Sequence, residues 1–93
     1  MKAIWNNTVL AESDQTQLHE EKHYFPPDAI NSEYFQQSDS HNVSPSIGKA
    51  SYFHIKVGED KKEDAAWFYP HPNQEAADIK NFVTFSDDIK IEK

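Results

Sequence analysis

The sequence predicts a mainly β fold, α+β at the margin, in which compact antiparallel sheets carry one or two short helices. Short runs of alternating apolar and polar residues have the period of half-buried strands. Turn-forming residues separate these runs at short intervals, as they do between neighbouring strands. In the stretch Asp64–Pro72, three adjacent aromatic residues precede a Pro-x-Pro stop. Because aromatic residues favour strands, we expect the strand formed by this stretch to organise the fold.

The composition predicts one small domain that spans residues 1–93. A chain of 93 residues can form a core, and its 13% aromatic content supplies much of the apolar surface. Cysteine is absent, which excludes disulfides and thiolate ligands for zinc or iron–sulfur clusters. No apolar stretch has the length of a signal peptide or a membrane span. We therefore expect a cytoplasmic protein with no membrane partner.

The charge pattern bears on the choice of partner. The net charge is −7, and all 9 basic residues are lysines. Arginine is the side chain that binds phosphates and guanines through a planar fork of N–H groups. Its absence, together with the acidic surface, predicts that the protein has no nucleic-acid partner.

The first third of the chain predicts a β-hairpin and a further short strand. The hairpin strands are Lys2–Trp5 and Thr8–Glu12, the short third strand is Gln17–Glu20, and a fourth segment, His23–Phe25, follows a solvated turn. Asn6-Asn7 joins the first two, and asparagine tolerates the positive φ of tight hairpin turns. In the third strand we expect Leu18 to point inward. Pro26-Pro27 ends any strand pairing of the fourth segment, because proline cannot donate a hydrogen bond to a strand ladder.

The middle of the chain predicts a short helix, a loop and a strand. An apolar i, i+4 spacing within residues 28–35 favours one or two helical turns. Residues 36–47 are polar and without periodicity, so we expect the most mobile internal loop there. Residues 50–57 alternate, and residues 58–63 are expected to form the loop of a hairpin. The alternation predicts a core face made of Ser51, Phe53, Ile55 and Val57.

The organising strand is apolar on both faces. Alternation puts Ala66, Phe68 and Pro70 on one face and Ala65, Trp67 and Tyr69 on the other. Both faces should therefore be covered, with Trp67 as a core anchor. After it, residues 74–81 predict two helical turns with Ile79 inward. Residues 82–85 and 89–92 predict two last strands that pair as a hairpin.

Four motifs occur in an order that resembles a known family. They are Tyr24-Phe25-Pro26-Pro27, Ser44-Pro45-x-x-Gly48 followed by Ala50-Ser51-Tyr52-Phe53, the stretch Asp64–Pro72, and Ile79-Lys80-Asn81-Phe82-Val83-x-Phe85. Together they resemble domain-of-unknown-function family 427, a group of small bacterial and fungal proteins. The resemblance implies a fold similar to the Mss4-like or β-tent group, whose antiparallel sheets pack over a pocket.

One loop departs from the family pattern. The usual family loop is Cys-Pro-Trp-Lys-Gly, and here it is Ser44-Pro45-Ser46-Ile47-Gly48. Several relatives of the fold group hold zinc in the pocket, but this chain has no cysteine to bind it. His19 and His23 would lie about 13 Å apart on one strand, too far to share an ion. We therefore expect no metal and no cofactor.

Two functions from different classes fit the remaining residues. Pockets are mostly apolar with a few placed polar groups, and such a pocket could be walled by Tyr24, Tyr52, Trp67 and Tyr69 with Asp64 at its edge. A noncatalytic module of this kind would bind a small molecule, neutral or cationic, or a protein partner. The alternative is an enzyme that uses Asp64 and a histidine, His41 or His71, for acid–base chemistry. A raised Asp64 pKa beside a histidine would favour the enzyme.

Overall fold

The computed structural model describes all residues from 1 to 93. The strands are β1 Lys2–Trp5, β2 Thr8–Glu12, β3 Gln17–His19, β4 Lys22–Tyr24, β5 Phe35–Ser44, β6 Gly48–Val57, β7 Asp60–Phe68, β8 Val83–Phe85 and β9 Lys90–Glu92. They form three sheets, in the orders β2-β1-β9, β3-β4 and β5-β6-β7-β8, and every pairing between strands is antiparallel. The predicted mainly β fold is confirmed.

Short 3₁₀ helices stand where the sequence predicts helical turns. They cover Pro27–Ala29, Ser32–Tyr34 and Gln74–Ile79. In the last one Ala76 and Ile79 are buried, so the inward position predicted for Ile79 is confirmed. None of the helices is long or apolar enough to cross a membrane.

The N-terminal hairpin forms as predicted. β1 and β2 pair from Lys2 opposite Glu12 to Trp5 opposite Thr8. Asn6 and Asn7 make the turn with φ values of 51° and 57°. Asparagine enters this left-handed region more readily than most residues, which is why the pair is a reliable hairpin signal.

The predicted C-terminal hairpin is wrong. β8 pairs with β7, whereas β9 pairs with β1 in a different sheet. All three residues of β8 are buried, so both faces of this strand are covered by other parts of the protein. Ile89 then enters the core between the sheets and carries the chain across to β1. The turn 86–88 therefore links two sheets and does not close a hairpin.

The segment predicted to be a mobile polar loop, residues 36–47, is mostly the strand β5. β5 is an edge strand whose residues are exposed or only partly buried. An edge strand with solvent on both faces needs no apolar alternation, so the pattern gave no strand signal. The hairpin loop between β6 and β7, predicted as residues 58–63, is also shorter than predicted, because β7 already begins at Asp60. Gly58, with φ of 61°, makes that tight turn.

The four-stranded sheet has a core on each face. A larger core covers the face of Phe53, Ala66 and Phe68, and it contains Phe25 and Ile55. The face of Trp67 and Tyr69 carries a smaller core. Besides Tyr69, the buried members of the smaller core are Tyr24, Ile47, Ala50, Ala76 and Ile79. The two-sided burial predicted for the organising strand is thus present.

Two side chains near these cores differ from their predicted positions. Ala65 belongs to the larger core, not to the face of Trp67, because Asp64 has φ of 53° and breaks the alternation. Leu18, predicted to point inward, is 65% exposed. The β3–β4 hairpin turns its Tyr24 face inward, and Leu18 lies opposite His23 on the other face.

The fold makes a prediction about stability. Phe25 is completely buried in the larger core, so Phe25→Ala is expected to lower the free energy of unfolding by about 3–5 kcal/mol. Trp67→Ala should cost less, because the Trp67 ring is partly exposed and packs at the border of the smaller core. Leu18→Ala is the control, with an expected change below about 0.5 kcal/mol. Urea denaturation measures all three, and a Trp67→Ala loss larger than that of Phe25→Ala would contradict this ranking.

Candidate functional site

Four of the five residues predicted to form a site come together on the smaller core. Tyr52 on β6 and Trp67 on β7 are cross-strand partners, with ring centroids 5.6 Å apart. Tyr24 on β4 and Tyr69, directly after β7, have centroids 6.4 Å apart. We call Tyr24, Tyr52, Trp67 and Tyr69 the aromatic cluster. It forms because antiparallel pairing aligns Tyr52 with Trp67 while the β3–β4 hairpin brings Tyr24 over the sheet.

The polar groups of the aromatic cluster face one another. Burial raises the pKa of Tyr24, and the nearby Tyr69 and Glu20 add to this effect. Burial also raises the pKa of Tyr69, while a hydrogen bond from the Trp67 indole opposes the rise. The hydroxyls therefore stay protonated at neutral pH, and they lie close enough to act on each other. Each phenol can donate one hydrogen bond and accept two.

Glu20 is the carboxylate beside the aromatic cluster, and the sequence reasoning missed it. Its Oε1 atom accepts a hydrogen bond of 2.8 Å from the Ser46 hydroxyl, and Ser46 precedes the buried Ile47 of the smaller core. Glu20 and Glu21 form the β3–β4 turn with φ values of 50° and 70°. Asparagine or glycine is usual in such turns. The unusual Glu-Glu pair at this turn was therefore the sequence signal that could have marked Glu20 as a candidate site residue.

Lys22 is the second residue near the cluster that the sequence reasoning treated as solvated. Its ammonium lies 5.1 Å from the centroid of the Trp67 ring. It donates to the Phe85 carbonyl at 2.7 Å and to the Asp87 carboxylate at 3.3 Å. Asp87 is fully exposed, so the carbonyl and the ring hold this ammonium more firmly than the ion pair does. Lys22 thus covers part of Trp67.

Asp64, the fifth predicted residue, lies in a different environment. Its Oδ1 atom accepts a hydrogen bond of 2.5 Å from the Ser38 hydroxyl, and its backbone N–H donates to His54 Nδ1 at 3.1 Å. The strand register is interrupted at two places, between Gln37 and His41 and again beside His54. These two irregularities, one on each side of β6, bring Ser38, His54 and Asp64 together, and we call this set the bulge cluster.

The bulge cluster is poorly suited to acid–base catalysis. The hydrogen bond from Ser38 is the main reason that the pKa of Asp64 lies below its usual value, and a lowered pKa makes the carboxylate a weaker base. His54 Nδ1 accepts a backbone N–H, which requires a free lone pair on that nitrogen and disfavours an ion pair with Asp64 at 3.6 Å. The histidines predicted as partners are elsewhere: His41 lies 3.2 Å from the Ala50 carbonyl, and the exposed His71 makes no side-chain hydrogen bond to Asp64.

Two cavities lie outside the predicted site. One, of about 260 Å³, is lined by Glu21, Lys22, His23, Thr84, Phe85, Ser86, Asp87, Ile89 and Ile91. In its wall the buried Ser86 hydroxyl has no hydrogen-bond partner. The other, of about 280 Å³, is an apolar groove beside the stacked Phe53 and Phe68 rings, whose centroids are 5.1 Å apart. No three side chains of His, Asp and Glu converge in a way that could hold a metal ion.

The chain matches a family model along its full length. The family is described as "Domain of unknown function (DUF427)", and the match covers residues 1–93. No curated protein matches the chain. The family resemblance noted in the sequence motifs is therefore confirmed, and the match assigns neither an activity nor a ligand.

The bulge cluster predicts a pH effect. The pKa of Asp64 is lowered in the folded state, so its ionised form stabilises the fold above its unfolded pKa of about 3.9. This contribution is lost as the pH falls through the lower, folded pKa. Ser38→Ala removes the main donor and should raise the pKa of Asp64 toward its ordinary value, as measured by NMR titration of the carboxyl carbon. Ser51→Ala is the matched control, and an unchanged pKa in Ser38→Ala would refute the assignment.

Proposed function

We propose that this chain, which belongs to domain-of-unknown-function family 427, is a noncatalytic binding module. Its site is the partly exposed side of the aromatic cluster, where Tyr52 and Trp67 pack against the buried Tyr24 and Tyr69. The partner is a small molecule or a protein side chain that contacts the polar groups of this cluster. Glu20, not Asp64, supplies the carboxylate at the edge of the site.

One observation carries this proposal. Tyr24 and Tyr69 are only 2% and 6% exposed, yet neither hydroxyl is sealed in the core without a partner, since the one sealed unpaired side-chain atom is Ser86 Oγ. Nearly all of each ring is therefore packed, and each hydroxyl either meets a neighbouring polar group of the cluster or contacts solvent. A hydroxyl on a packed ring is a fixed hydrogen-bonding group, and a ligand that reaches it loses little side-chain entropy.

The catalytic alternative has weaker support. It requires a carboxylate of raised pKa next to a histidine that can exchange protons. The pKa of Asp64 is lowered, and its carboxylate is bound to the Ser38 hydroxyl. That hydroxyl also accepts the Ser40 backbone N–H, so it is engaged in the bulge and poorly placed to act as a nucleophile. These contacts favour a structural role for the bulge cluster.

The acidic composition limits the chemical class of the partner. With a net charge of −7 and no arginine, the protein lacks the charge that attracts nucleic acids and other polyanions. The aromatic cluster lines neither of the two cavities, so a ligand there lies on the surface of the protein and is not enclosed. A single functional group of a small molecule or of a protein side chain fits this arrangement.

A fragment screen by NMR tests the proposal, because the chain has two tryptophans that report on different places. Trp67 belongs to the site, and Trp5 packs against the larger core. Fragments that bind the site should shift the Trp67 indole N–H in a saturable way and leave Trp5 unchanged. Tyr69→Phe removes one hydroxyl and should weaken these fragments by about tenfold, the equivalent of one hydrogen bond of about 1.4 kcal/mol.

Tyr34→Phe is the matched control, because Tyr34 packs against the larger core. Fragments that bind wild type and Tyr69→Phe equally well would place the binding site elsewhere. Turnover of an ester or phosphate substrate that disappears in His54→Gln would contradict the noncatalytic reading.

A further inference from the structure

Glu20 is held beside the aromatic cluster by contacts from two hairpins. The turn between β3 and β4 fixes its backbone, and the Ser46 hydroxyl from the β5–β6 turn binds its Oε1 atom at 2.8 Å. His19, the residue before Glu20, packs edge-on against Tyr24 with centroids 6.3 Å apart. The Glu20 carboxylate is thereby placed at the rim of the site, and its negative charge acts on Tyr24 and Tyr69.

No cation of the protein neutralises Glu20. None of the ion pairs in the structure includes it. Lys22, the nearest lysine in sequence, binds Phe85 and Asp87. Ser46 donates to Oε1, and no protein donor binds Oε2. The exposed Glu20 carboxylate can therefore accept a hydrogen bond from a ligand at Oε2.

The aromatic surface of the site already accepts an ammonium group. The Lys22 ammonium lies 5.1 Å from the Trp67 centroid, within the range of a cation–π contact. Aromatic rings attract cations through the negative charge of their faces, and a neighbouring carboxylate strengthens the same preference. The aromatic rings and the Glu20 carboxylate therefore both favour a positively charged group.

We propose that the ligand group bound by the aromatic cluster is an organic ammonium, and that the Glu20 carboxylate is its charged partner. This inference rests on the proposed function and adds the chemical class of the ligand and a specificity-determining residue. The ammonium donates to Glu20 Oε2 and contacts the exposed parts of the aromatic rings. An anionic group at the same place would be repelled by the Glu20 carboxylate, which forms no ion pair within the protein.

Three probes that share one skeleton separate charge from shape. Benzylamine, benzyl alcohol and benzoate are titrated into the full chain at about 150 mM salt, where charges beyond about 8 Å are screened. The Trp67 indole N–H reports binding, and Trp5 serves as the internal reference. We expect benzylamine to bind at least about tenfold more tightly than benzyl alcohol, since a charged hydrogen bond is roughly twice as strong as a neutral one, and we expect no saturable shift with benzoate.

Two variants of the same turn assign the charge to one residue. Glu20→Gln keeps the size of the side chain and its capacity to accept from Ser46, and it should bring benzylamine down to the affinity of benzyl alcohol. Glu21→Gln removes the same charge from the neighbouring position, whose side chain lines the 260 Å³ cavity and not the aromatic cluster. It should change the benzylamine affinity by less than about twofold, since an exposed charge that does not contact the ligand contributes little. Thermal unfolding of both variants verifies that they are folded.

The outcomes separate this inference from the function on which it rests. Equal binding of benzylamine and benzyl alcohol at Trp67 would overturn the ammonium assignment and leave the binding site intact. Equal weakening in Glu20→Gln and Glu21→Gln would overturn the role of Glu20 and indicate a general effect of net charge. The absence of a saturable Trp67 shift with all three probes would overturn the inference and would count against the site itself.

Discussion

The structure depends on the burial of both faces of β7. Ala66 and Phe68 enter the larger core, and Trp67 and Tyr69 enter the smaller one. A strand covered on both sides fixes its register strongly, because a shift by one residue would exchange the two sets of side chains. The chain satisfies this constraint by placing the β2-β1-β9 sheet over one face. The other face is covered by Tyr24 of the β3–β4 hairpin, by Ile47 and by the 3₁₀ helix Gln74–Ile79. The candidate site lies where the second covering is incomplete.

Local signals predicted the parts of the fold that local energetics decide. The turn at Asn6-Asn7 needs positive φ, and the run Trp67–Tyr69 needs two covered faces, so each was recognisable from its own residues. β5 was missed because an edge strand takes its stability from backbone hydrogen bonds to β6, which leave no apolar period in residues 36–44. The partner of β9 was missed because a three-residue strand is positioned by the long-range packing of Ile89, not by its turn.

The aromatic part and the charged part of the site also differ in how far local sequence signals predict them. The rings of Tyr24, Tyr52, Trp67 and Tyr69 were predictable because bulky aromatic residues must pack together. The charged residue was not, because Asp64 and Glu20 are equally polar in sequence and only long-range contacts separate them. Two interruptions of strand register turn Asp64 toward Ser38, whereas a hairpin turn carries Glu20 to Ser46.

The loop that departs from the family pattern takes part directly in this site. Ser46 and Ile47 stand where the usual loop has Trp and Lys, and Gly48 is retained. Ser46 binds Glu20, and Ile47 is buried in the smaller core. Gly48 keeps the loop in place, since a Cβ there would come within 3.1 Å of the His71 carbonyl oxygen. The backbone of the loop is thus constrained by its neighbours. With serine and isoleucine at positions 46 and 47, the loop supplies no ammonium group to Glu20, and the proposed ligand would provide one.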